Sequence, residues 1–206
     1  MRAITSATID AALVTPVSYV SGEIDTDRSV IVIHVDKSGW LSSFGDSHVI
    51  QASIAHGSIN PFEQPSIEFE VESSQLKVLD PGLSAERRLE VQDRMLGPGV
   101  LDADRYPIIA FHSTAIEAAG PQRWRVTGDV TLHGITRPVS GDVSATADRY
   151  MGSAVVSQRD FGIEPIAVAG GLVKVKNEVR IAFAIASRVG SSRAPLYVAR
   201  KGARGK

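Results

Sequence analysis

The sequence predicts an all-β fold, a sandwich or a closed barrel, and three observations carry that expectation. Apolar and polar residues alternate with a period of two; about eight or nine such runs follow at roughly 8–15-residue spacing; and Gly, Pro, Asn and Asp fall between them. The clearest run lies between Pro65 and Leu79, where Ile67, Phe69 and Val71 share one face and Glu68, Glu70 and Glu72 the other. Successive side chains of a strand point to opposite faces, so this run has one dry and one wet side. Residues 124–133 repeat the pattern, with Trp124, Val126, Gly128, Val130 and Leu132 inward and Arg125, Thr127, Asp129, Thr131 and His133 outward. A turn is expected from Gly134 to Pro138, after which Val139, Gly141, Val143, Ala145 and Ala147 face inward. Val179, Ile181, Phe183 and Ile185 form a further inward row, and 29–35, 49–59, 107–116, 151–160 and 172–176 are strands of less regular alternation. Gly128, Gly141, Ala145 and Ala147 leave space on the inner face, for a large side chain opposite or for a ligand.

One helix interrupts the strands. Ser84 can cap residues 85–96, Glu86 suits the first turn, and Gly97-Pro98-Gly99 stops the helix. Its apolar stripe (Leu89, Val91, Met95, Leu96) is loose, which places it across one end of the sheet, as a lid or as a packed connection.

Composition narrows the function. The chain has 206 residues, 43% hydrophobic and 22% charged, with a formal net charge of -1, so no overall field draws it to nucleic acid or an anionic membrane. Cysteine is absent, which removes disulfides and thiolate chemistry. The first residues offer a short apolar run from Ala11 to Val14, too short for a secretory signal, and no window is apolar enough for a transmembrane helix. The expectation is a cytoplasmic protein. Nucleotide-binding, hydrolase-elbow and zinc-protease motifs are missing. The histidines are His34, His48, His56, His112 and His133, none paired at ligand spacing. His112 has the outward parity beside an inward Phe111. Asp46 and His48 could hold a metal or pair as base and orienter, or Asp46 could simply close a tight turn.

Three ordered stretches resemble the YceI family. Val100 to Thr114 contains Leu101-Asp102, Tyr106-Pro107 and Phe111-His112-Ser113-Thr114; residues 126–139 read VTGDVTLHGITRPV; and residues 157–163 read SQRDFGI. Residues 173–185 resemble the family's closing strand, and the likeness spans about 17–187. That resemblance implies a single antiparallel eight-stranded lipocalin-like barrel over 17–187, with an N-terminal extension, 1–16, and a basic, disordered tail, 188–206. It further implies an apolar lumen for a polyisoprenoid or similar long-chain lipid. Within the matching strands the inward positions Phe69, Val71, Phe111, Trp124, Val130, Leu132, Phe161, Ile181 and Phe183 are the expected ligand contacts, with core packing as the competing role. Arg137-Pro138 is expected to fix the turn between two strands. The 40–48 stretch departs from the commonest members, Asp46 standing where one branch has the first of two histidines.

The expected function is therefore non-catalytic binding of a polyisoprenoid or a prenyl-tailed quinone, with no cofactor, metal or nucleic-acid partner and with a homodimer left open. The alternatives are an enzyme working near Asp46 and His48, and a filled barrel that binds a protein through its Glu68–Glu72 face.

Overall fold

A computed structural model describes residues 22–38, 47–62, 64–146, 148–168 and 173–188. The expected extension, 1–16, the tail beyond Arg188, Asp46, Ala147 and Leu172 lie outside the described residues. The strands are β1 (Gly22–Glu23), β2 (Val30–Ser38), β3 (His48–Ala52), β4 (Ile54–Asn60), β5 (Ser66–Glu72), β6 (Lys77–Val78), β7 (Ile108–Gly120), β8 (Arg123–Leu132), β9 (Ile135–Ala145), β10 (Tyr150–Ser157), β11 (Ala167–Val168) and β12 (Val173–Ile185). All are antiparallel and belong to one sheet, ordered β1-β4-β5-β7-β8-β9-β10-β12-β2-β3-β6, with β11 on β12. Only Ser53 separates β3 from β4, so the chain itself passes between the two ends of that path.

The strand count differs from the expected eight. Twelve segments form the sheet, and three of them, β1, β6 and β11, have two residues each. The two-residue segments and one break account for the difference. The expected run 49–59 is broken at Ser53, and 172–176 joins the 179–185 row as the single strand β12 across an irregularity between Val175 and Val179.

The β8–β9 turn is also tighter than expected. It consists of His133 and Gly134 alone, with φ of 52° and 74°, and pairs Leu132 with Ile135. Two positive φ angles match the twist of a two-residue hairpin. Pro138 lies inside β9 opposite Asp129. Three steps from the hydrogen-bonded Leu132–Ile135 pair, that position turns its nitrogen away from β8. The β9–β10 pairing stops at Gly141, so the missing N–H of Pro138 interrupts no ladder.

His133 is correspondingly not an outward strand residue. Its ring packs on Tyr106 with centroids 4.7 Å apart, and Nδ1 lies 3.2 Å from the Phe161 carbonyl oxygen. A Cβ at Gly134 would lie 2.5 Å from the Tyr106 ring, so the turn's glycine is required by contact as well as by φ. Ser73 in turn ties the Tyr106–Pro107 segment, donating its hydroxyl to the Tyr106 carbonyl (2.7 Å) and its N–H to that of Pro107 (2.8 Å). The Tyr-Pro and His-Gly motifs thus meet in space as a lock on one hairpin.

Helix α1 spans Ala85–Leu96, as its signals require. Ser84 Oγ accepts the Arg87 N–H at 3.3 Å, and the chain leaves at Gly97. Gln92 fixes the helix to the sheet by accepting from Val78 N–H (2.8 Å) and donating to the Leu76 carbonyl (2.7 Å). No described helix is long and apolar enough to cross a membrane.

Candidate functional site: a two-chambered lumen

The inward parity of the strands gives the concave side of the sheet a continuous apolar lining. Two chambers follow from it, and they share Ile33, Leu76, Ile109, Val130, Val156 and Ile181. The inner chamber has a volume of about 150 Å³ and a wall of apolar side chains with Gly141 and Tyr150. The outer chamber, about 570 Å³, lies under α1 and is walled by Leu132, Ile163 and Val179 among others.

The inner chamber is kept narrow by rings laid on glycines. Phe69 and Phe111 stack with centroids 5.3 Å apart. A Cβ at Gly128 would lie 2.5 Å from the Phe111 ring, and one at Gly152 the same distance from that of Phe183. The space left by these small residues is therefore filled by phenyl groups lying against the wall.

Of the expected contacts, Phe69, Val71, Phe111, Val130, Ile181 and Phe183 line the inner chamber, and Val130, Leu132 and Ile181 line the outer one. Trp124 and Phe161 line neither. Trp124 stands half-buried at the start of β8 with its ring 6.3 Å from that of Tyr150, edge-on. Phe161 is 1% exposed, in the short 3-10 turn after β10, where it packs in the hydrophobic core.

His48 does reach the cavity, but its described partner is Asp80. His48 Nδ1 and Asp80 Oδ2 are 2.5 Å apart, and Asp80 Oδ1 accepts the Val49 N–H at 2.7 Å. Asp80 is 2% exposed. A carboxylate offers only acceptors, so the ring proton is on Nδ1 and Nε2 is left for another group. No signal in the sequence joins these two residues, because Asp80 sits in an Asp-Pro-Gly turn remote from His48. Val91 and Met95, read in the sequence as part of the helix's apolar stripe, line the outer chamber, and the reading missed the charged members of that face, Arg87, Glu90 and Arg94. Among the described residues no group of three or more His, Asp or Glu is placed to hold a metal ion.

The described residues form a curved antiparallel sheet around an apolar cavity, with the charged lining residues at the α1 end. The chain belongs to the YceI family: the YceI-like domain model matches residues 23–187. A UPF0312 protein of Pseudomonas syringae pv. syringae is 32% identical over 74 residues, 31% of this chain and 38% of that protein. Another, from Pseudomonas putida strain W619, is 50% identical over 40 residues, 19% of this chain and 21% of its own length. The chain thus spans well under half of these relatives. The crystal structure of Burkholderia cenocepacia BcnA has a TM-score of 0.55 at 19% identity, covering 80% of this chain and 99% of that one. Identity at that level speaks for the fold alone.

Proposed function

We propose that the lumen binds a long apolar lipid, a polyisoprenoid or a prenyl-tailed quinone, for storage, transport or sequestration, without chemical change to it. An antiparallel sheet curved around an apolar cavity leaves room for one ligand. The observation that carries the reading is the inner wall, which offers a ligand apolar side chains and almost nothing to hydrogen-bond. Burying apolar surface contributes about 25 cal/mol per Å², so a long chain gains affinity from wall contacts after the costs of association are met. Phe69, Val71, Phe111, Val130, Leu132, Ile181 and Phe183 are the proposed contacts. Trp124 and Phe161 support that wall from outside the chambers. The site of action proposed is the cytoplasm.

The His48–Asp80 pair has the form of a base with its orienter, which is the observation favouring an enzyme. Against it, a base of this kind acts by activating a nucleophile, and no described serine, threonine or lysine lines either chamber. Binding is the better reading.

Untagged protein, purified without detergent and extracted with organic solvent, should release a long-chain lipid at near one per chain by mass spectrometry. Repeated extraction without lipid, combined with no uptake of geranylgeraniol in native mass spectrometry, would sink the proposal.

A further inference from the structure

We infer that the ligand is an amphiphile with an anionic head, a phosphate or a carboxylate, and that the head lies at the α1 mouth against Arg87 and Arg94. The inference rests on lipid occupying the lumen and adds its direction and its chemical class.

The first support is a gradient of polarity along the cavity. The inner chamber has no charged side chain among its lining residues, whereas the outer chamber has His48, Arg87, Glu90, Arg94 and Gln158. An amphiphile in such a cavity has its tail inward and its head under α1, because burying a polar head in the inner chamber would leave it without hydrogen bonds.

The second support is which of those polar groups are already engaged. Gln158 donates its amide to the Lys176 carbonyl at 2.8 Å and is used by the fold. Asp80 is shared by His48 and the Val49 N–H, so its charge faces the protein and not the cavity. Glu90 is paired with Arg87 only at 3.9 Å, between exposed side chains. The Arg94 side chain has no hydrogen bond or ion pair with any described residue. Among the described lining residues the mouth therefore holds two guanidinium groups against one carboxylate.

Helix spacing makes that face coherent. Within α1, Arg87 is followed three and four residues on by Glu90 and Val91, and these four and three residues on by Arg94, so the chamber is met by one side of the helix. Its apolar members continue the wall, and its arginines offer forked donors that match phosphate or carboxylate oxygens. If the arginines served only to cover apolar surface with their stems, a neutral ligand would suit the mouth equally well. That difference is measurable.

The test is displacement of a lumen-bound apolar fluorescent dye by geranylgeranyl monophosphate, geranylgeraniol and inorganic phosphate. The phosphate ester should bind roughly tenfold more tightly than the alcohol, as expected for one good charge-assisted contact. In the Arg87→Gln, Arg94→Gln double variant that preference should fall to about twofold or less while the alcohol binds as before, which also shows that the variant is folded. Inorganic phosphate should displace nothing. Equal binding of ester and alcohol, or a preference that survives in the variant, overturns the anionic head. Tight binding of inorganic phosphate at the mouth, seen by calorimetry and lost in the variant, makes it a free-anion site and overturns the amphiphile. Failure of both ester and alcohol to displace the dye instead removes the lumen reading itself.

Discussion

The inner end of the lumen is built from Phe111 and Phe183 laid over Gly128 and Gly152, whereas the outer end is built from a helix with arginines on its cavity side. At the inner end, volume is set by fixed rings on a hydrogen-bonded sheet. At the outer end it is set by side chains that end in charge and by a helix held to the sheet through Gln92. The cavity therefore has two kinds of wall, one of apolar rings on the sheet and one in which a helix adds charged side chains.

The largest effect should come from a residue that serves the scaffold of both ends and lines neither. Phe161→Ala should cost about 4 kcal/mol of unfolding free energy in denaturant titration, and the loss should be the same with and without geranylgeraniol. A lipid-dependent loss would break the distinction between supporting core and lumen wall. Phe111→Ala enlarges the inner chamber itself, so about 3 kcal/mol should be lost without lipid and less with it, as ligand takes up part of the space. An identical loss in both conditions would mean that the inner chamber holds no lipid. His112→Ala, next in sequence, alters only the outer face, where the side chain is 67% exposed and 3.8 Å from Glu68. It should change stability by less than about 0.5 kcal/mol, and a larger loss would show that this face is not free.

Strand parity made the inner wall legible. Phe69, Phe111, Val130, Ile181 and Phe183 needed only the knowledge that alternate residues face one side, and α1 was delimited by Ser84 and by Gly97-Pro98-Gly99. The turn was misplaced because proline was read as punctuation. Pro138 can stay in a strand because its nitrogen faces no partner, a fact of strand register that the local sequence does not contain. The outer site was illegible for a related reason: His48 and Asp80 are neighbours only because β3 lies beside the segment that follows β6. Arg87 and Arg94 are exposed residues of an amphipathic helix, and only the cavity beneath that helix shows that they also border it. The His-Gly motif was visible, but its purpose, a hairpin turn fitted to Tyr106, depended on a contact between distant segments.

The β2–β12 pairing has a consequence for how the chain reaches this structure. β7 pairs with β8, β8 with β9 and β9 with β10, but β2 and β12 join opposite parts of the chain, and Ser29 exchanges hydrogen bonds with Ala186 across 157 positions. Long loops are costly to close, so the local meander can form early while this seam has to wait. Until it closes, β2 and β12 each present an unpaired edge to other chains. On this reasoning the seam is the slow step of folding and the period of greatest exposure to aggregation. Amides of β2 and β12 that bond across it should be the last protected in pulse-labelled hydrogen exchange, and early protection there would reverse the order.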